Sequence, residues 1–428
     1  MPASLRLALA ASLAAFLGAL AVTARAEAPM RGHGGPVRAL AVTADGQRAL
    51  SGSFDASAIL WSLEDGAALR VLRIHDGAVN AVSLLPDGGL LTGGEDGRIA
   101  LWRDDSGPER ILATHAGPVS GLAVAPDGRR IASSSWDGTA RITPLDGGPA
   151  LVREGHQGNV NGVAFLPDGR LVTAGYDGTV RIWPEAGPAV TVQLEGPANA
   201  VTAAADGEIA AAGADGSLYL LRPDGGIRAR LEVGPRPVVA LALSPDGRRL
   251  AAATVGGAVA VIDRDEARVR LTLVGPGLPV WSLAFRGNDE LVTGGGDRLV
   301  RRWDLRTGEP IGPLAMTRPA DALAGFAGDR GAEVFRACEA CHTLTPDGGN
   351  RAGPTLHGVF GRRIATVPDY PYSPAFRRLD IVWTPETIAR LFEIGPARFT
   401  PGTKMPEQTI TTAEDRAALV RFLEEATR

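Results

Sequence analysis

The sequence predicts a two-part chain, a large all-β repeat domain followed by a small all-α domain, on three observations. An aspartate-centred pattern returns at intervals of 38 to 41 residues from Asp55 to Asp215 and once more at Asp297. Between these marks lie alternating stretches such as Val37-Arg38-Ala39-Leu40-Ala41-Val42, closed by turns such as Pro86-Asp87-Gly88 and Pro126-Asp127-Gly128; this is the spacing of short strands. After Ala315 the period stops, and helical spacing takes over in 330–337 and again from about Thr412 to Glu425.

At 428 residues the chain is too long for one core, so more than one domain is required. Fifty-five glycines and only 5% aromatics favour a turn-rich body over a helical bundle. The formal charge of -4 excludes an ordinary basic nucleic-acid binder. Lys404 is the only lysine, and the resulting excess of arginine reads as a habit of composition rather than as chemistry.

Residues 1–26 read as a secretory signal: Arg6, then the apolar run Leu7 to Val22, then Ala24-Arg25-Ala26 as a cleavage site. The run is short for a membrane span of about 20 residues. An uncleaved anchor is the alternative, and either one places the mature protein outside the cytoplasm, in the periplasm. No later segment is apolar enough to cross a bilayer.

The two cysteines, Cys338 and Cys341, stand two residues apart and are followed at once by His342. C-x-x-C-H is the signature of covalent haem attachment. A thioredoxin-like pair needs a βαβ setting that is missing, and zinc needs two further ligands at suitable spacing. The expected cofactor is one covalently bound haem c with its iron.

Within the repeat, a hydroxyl lies four residues before the aspartate (Ser51, Thr92, Ser133, Thr173, Thr293) and tryptophan six after it (Trp61, Trp102, Trp183, Trp303). A histidine leads the first four units: His33, His75, His115 and His156. This pattern resembles the WD-repeat family, in which each unit of about 40–45 residues is a four-stranded propeller blade. The resemblance implies a seven-bladed propeller over 31–315, with the four side chains forming a hydrogen-bonded relay. Unit three has Thr143 in place of tryptophan, unit five has Ala211 and Leu221, and unit six lacks the relay. The outermost strand of the closing blade comes either from Glu309 to Ala315 or from residues before His33. With four of six histidines in the relay, none remains in the propeller to ligate a second metal. The acidic residues mostly occupy Asp-Gly turns, where side chain–backbone bonding explains them.

Beyond a linker at 316–325, residues 326–428 resemble the class I c-type cytochromes. The matching runs are Gly331-Ala332-Glu333-Val334-Phe335, Cys338 to Leu344, Asn350 to Arg362, Tyr370-Pro371-Tyr372, Trp383 and Pro401-Gly402-Thr403-Lys404-Met405-Pro406, ending in an amphipathic helix with Leu419, Val420, Phe422 and Leu423 on its apolar face. The resemblance implies His342 and Met405 as the two iron ligands, with the carbonyl of Pro354 orienting the imidazole and Gly402-Thr403 holding the methionine loop. It implies that Arg362, Tyr370, Tyr372 and Trp383 enclose the haem propionates, and that His357 is structural. Glu407, Leu391 and one residue inserted before Pro396 depart from the family pattern.

The expected function is one-electron transfer, by a carrier rather than a catalyst, with the propeller docking a redox partner protein. Two other readings stay open. One is a scaffold whose haem senses redox state or a gas; the other is an oxidoreductase with substrate in the propeller and haem as acceptor. From Phe326 onward, 13 basic and 13 acidic residues cancel, so steering of a partner by charge is weak.

Overall fold

Alternation at the strand period builds seven antiparallel sheets, six of four strands and one of five. The computed structural model describes residues 30–428 except 105–106, 276, 313–322, 340–341, 347–352, 369, 371, 373, 402–404, 406–408 and 411. The expected signal segment, most of the expected linker, Cys341 and Thr403 lie outside the described residues.

Each sheet is one repeat unit. Blade one, for example, runs outward through Val37–Val42, Arg48–Ser53, Ala58–Ser62 and Ala68–Leu72. A lone blade cannot bury both faces, so neighbours stack and close a ring. Here the innermost strands touch in succession from the first blade to the seventh and back to the first. The chain therefore contains a seven-bladed β-propeller. Its turns follow the aspartate chemistry read from sequence: Asp87, Asp127, Asp168, Asp206 and Asp246 each accept the backbone N–H two residues on, at 2.8–3.0 Å.

Both candidate closing segments are used. Strand Leu299–Asp304 pairs at its start with Met30–Arg31, Met30 standing opposite Val300, and at its end with Glu309–Ile311, Glu309 standing opposite Asp304. The two short segments together make the outer strand of blade seven.

The relay forms in blades one, two and four. His33 bonds Ser51 Oγ through Nε2 at 2.6 Å and Asp55 through Nδ1 at 3.1 Å, and the Trp61 indole donates to the same hydroxyl at 2.7 Å. His75, Thr92, Asp96 and Trp102 repeat this, as do His156, Thr173, Asp177 and Trp183. In blade three His115 still spans Ser133 and Asp137 at 2.8 and 2.9 Å. There Thr143 replaces the indole, and its hydroxyl is buried with no hydrogen-bond partner. Burial works against the aspartate charges, but the histidine and backbone bonds outweigh it and hold Asp55, Asp96, Asp137 and Asp177 below the usual carboxylate range.

The arginine excess has a structural use that composition did not reveal. At every blade interface a guanidinium donates to a backbone carbonyl of the next blade. Arg70 reaches Asp104, Arg110 reaches Leu145, and Arg153 reaches Pro184 at 2.8 Å. Arg170 reaches Pro223 at 3.1 Å, Arg228 reaches Arg264 at 2.6 Å and Arg249 reaches Asn288 at 2.8 Å. At the closing interface Arg302 reaches Leu63 at 3.0 Å and Arg286 reaches Gly46 at 2.7 Å. A planar fork of five donors reaches a carbonyl and still pairs with a carboxylate; Arg302 does both, through Glu290.

The described residues from Leu323 onward hold five α-helices: α1 (Arg330–Glu339), α2 (Pro374–Arg377), α3 (Pro385–Ile394), α4 (Pro396–Phe399) and α5 (Ala413–Ala426). Thr384 caps α3 in a reciprocal box with Thr387, and Thr412 caps α5, as hydroxyls do for free helix N–H groups. Helices α1 and α5 cross at Gly331, where a Cβ would collide with the Ala418 carbonyl and Phe422. Phe326 and Phe335 close on Phe422 at ring distances of 5.0 and 5.3 Å. Leu419, Val420, Phe422 and Leu423 are buried in the resulting core, as the amphipathic spacing predicts. Leu323, placed by sequence in the linker, is buried there too.

Candidate functional site

The site grows from the end of α1. Cys338 lies in its last turn, buried in the same core as Phe335 and Leu344. The N–H of His342 donates to the Cys338 carbonyl at 3.0 Å. Residues 353–356 return against it: the N–H of Leu356 donates to the Thr343 carbonyl at 2.8 Å.

That return sets the imidazole. His342 Nδ1 lies 2.7 Å from the Pro354 carbonyl oxygen. A carbonyl only accepts, so Nδ1 carries the proton and neutral Nε2 keeps its lone pair for a metal. Gly353 lies flat against the ring, and a Cβ there would stand 2.8 Å from both ring nitrogens. Glycine is the residue that lets the backbone come this close. In the sequence Gly353 stands within the Asn350 to Arg362 run, where nothing local gives it a role.

The other expected residues fall into two groups. Arg362 donates to the carbonyls of His357 and Thr355 at 2.7 and 2.8 Å, and so ties down the loop carrying Pro354. Its backbone carbonyl accepts from the N–H of Trp383 at 2.9 Å. Tyr370 packs edge-on against Tyr372 at 4.7 Å. Burial pushes the Tyr372 phenol up and the Arg362 guanidinium down in pKa, with the positive charge of Arg362 felt at Tyr372. Trp383 and Met405 instead border the core that holds Cys338. His357 leaves its Nδ1 buried without a hydrogen-bond partner.

Comparison with known proteins bears on both parts. The WD domain, G-beta repeat family matches residues 26–62, 66–103, 106–143, 147–184 and 268–304, which are units one to four and seven. Cytochrome c of Gibberella zeae is 37% identical over 107 residues, all of that protein and 25% of this chain. Cytochrome c of Arabidopsis thaliana is 40% identical over 100 residues, 88% of its length and 23% of this chain. The chain belongs to the cytochrome c family. As a cytochrome c family member with WD repeats, it joins a haem electron-transfer unit to an interaction module.

The residues present fit haem c as its cofactor. A thiol set in an apolar core suits covalent attachment of such a haem, and an imidazole already oriented through Nδ1 and a thioether bordering that core are nitrogen and sulfur donors that its iron takes.

Proposed function

We propose that this chain is an exported, periplasmic one-electron carrier with a single covalently bound haem c. In this reading Cys338 and Cys341 form the thioethers, His342 and Met405 ligate the iron, and the propeller docks a redox partner protein. The C-terminal 326–428 is then an all-α class I cytochrome c domain, joined through 316–325 to a propeller over 31–315 and preceded by a signal peptide at 1–26.

The observation that carries the reading is the His342–Pro354 contact at 2.7 Å with Gly353 against the ring. It gives one nitrogen the proton and leaves the other as a ligand before any metal arrives. When bound, the haem supplies a reversible one-electron couple at its iron. The chain's own residues orient, enclose and close the site. Met405, which borders the core beside Cys338, would hold the iron together with His342 through its thioether sulfur and would keep small ligands from it, with Thr403 on the same loop. Leu391, Phe392 and Leu419 exclude water, and the donors of Arg362, Tyr370, Tyr372 and Trp383 serve the propionates, whose buried charge requires partners.

A propeller in the same chain raises the effective concentration of a docked partner, which takes the place of charge steering. The test is haem stoichiometry after maturation in an exporting host. One acid–acetone-resistant haem per chain is expected, with colourless protein when Cys338 and Cys341 are both changed to serine. Haem retained by that double variant rejects the single-haem reading.

A further inference from the structure

The inner strands of all seven blades slip register at the same place. Pairing with the second strand skips one residue between Val37 and Ala39 and between Val79 and Ala81, and likewise in the five other blades. A bulge of this kind leaves a residue unpaired and re-aims its side chain. The bulged residues are Arg38, Asn80, Ser120, Asn161, Asn199, Val239 and Trp281, all half-buried. Since the inner strands surround a propeller's central channel, these seven form one belt around it.

Three members of the belt spend their donors on the protein. Ser120 donates to the Val160 carbonyl at 2.5 Å, Asn161 to Ala198 at 2.9 Å and Asn199 to Val238 at 3.0 Å, in each case the first residue of the next inner strand. Asn80, the equivalent side chain in blade two, makes no such bond among the described residues. Its neighbour in blade one is Arg38. That guanidinium reaches back to the Trp281 carbonyl at 3.4 Å and lies over the Trp281 ring at 5.8 Å.

One long bond leaves most of its five N–H donors without a protein acceptor, and among the described residues no carboxylate pairs with it. The arginines of the closing blade interface differ: Arg286 and Arg302 both pair with Glu290. Crowding by protein disfavours the charge on Arg38 and lowers its pKa. A crowded charge with no counter-charge is costly unless a partner arrives from outside.

We infer that the channel belt is a binding site for a small organic monocarboxylate, its oxygens on Arg38 and Asn80 and its apolar part against Trp281. Arg38 and Asn80 stand at the same bulge position of neighbouring inner strands, and a charged fork beside an amide offers donors of the kind a carboxylate accepts. The indole and Val239 supply the apolar wall that distinguishes such a ligand from chloride. The site is independent of haem attachment and of the docking role proposed above.

The test uses the full-length holoprotein and benzoate, with chloride at equal ionic strength as control. Benzoate should raise the propeller's thermal unfolding midpoint, because a ligand of the folded state stabilises it by mass action, and chloride should not. Titration calorimetry should give a benzoate Kd at least about tenfold weaker in Arg38→Gln, since a charge-assisted bond is lost. Asn80→Leu, which keeps the charge, should also weaken it and serves as the second variant if Arg38→Gln folds poorly. Equal stabilisation by chloride, no stabilisation by benzoate, or undiminished affinity in the variants overturns the assignment.

Discussion

Gly353 lies so close to His342 that a single added methyl would stand 2.8 Å from both ring nitrogens while Pro354 holds Nδ1 at 2.7 Å. The imidazole is thus clamped between a face and an edge, both supplied by one turn of backbone. Gly353→Ala should displace the ring and lengthen the Nδ1 bond. The expected outcome is a fall in haem incorporation and a mixed-spin spectrum in what does mature. A low-spin spectrum like that of the wild type would show that the ring tolerates the methyl and that Gly353 does not position it.

Arginine staples predict unequal costs for similar substitutions. Arg302 is nearly enclosed and serves both the Leu63 carbonyl and Glu290, whereas the Arg306 side chain is 70% exposed. Arg302→Met should cost about 1–3 kcal/mol in urea unfolding. Arg306→Ala should stay within about 0.5 kcal/mol. Similar losses in the two variants would mean that the closing interface does not depend on its staple.

Blade three offers the opposite test. The Thr143 hydroxyl is buried with no partner, and an unsatisfied buried group is better replaced by an isosteric methyl. Thr143→Val should be neutral or stabilise by up to about 1–2 kcal/mol. In blade one the Trp61 indole donates to Ser51 at 2.7 Å, so Trp61→Phe should destabilise by at least about 1 kcal/mol. Denaturant midpoints of the two variants should therefore move in opposite directions, or Thr143→Val should not move at all.

Acid should loosen the propeller from neutral pH downward. Burial lowers the pKa of His115 and His156, against the opposing pull of Asp137 and Asp177. As pH falls through about 6.5, the unfolded chain takes up protons there that the folded chain refuses, so stability declines. The relay carboxylates act in the same sense. Their contribution is complete above about pH 4 and is lost as pH falls toward the folded values, about 2 for Asp177, where histidine and backbone bonds outweigh burial. The thermal midpoint followed by far-ultraviolet circular dichroism should fall steadily from pH 7 to pH 3. A flat or rising profile would contradict the relay's part in stability.

Much of this was legible in the sequence because the chemistry is local. Asp-Gly turns, the hydroxyl–tryptophan spacing and the C-x-x-C-H run each declare themselves within a dozen residues. Blade number and the apolar face of α5 follow from period alone. What the sequence did not reveal depends on chain-distant neighbours. The closing strand divides between Met30 and Glu309, which stand far apart in sequence and share one partner strand. The arginine staples join residues tens to hundreds of positions apart, so composition alone made them look like habit. Gly353 acquires its role only once His342 folds back against it.

Optical spectra of the wild type and Met405→Ala test the proposed ligation of the iron by His342 and Met405. The wild type should show the red-edge sulfur-to-iron charge-transfer band when oxidised and should bind carbon monoxide poorly when reduced. Met405→Ala should lose the band, bind carbon monoxide quickly and have a lower reduction potential. Ready carbon monoxide binding by the reduced wild type at neutral pH, or a band that survives in Met405→Ala, would contradict the account.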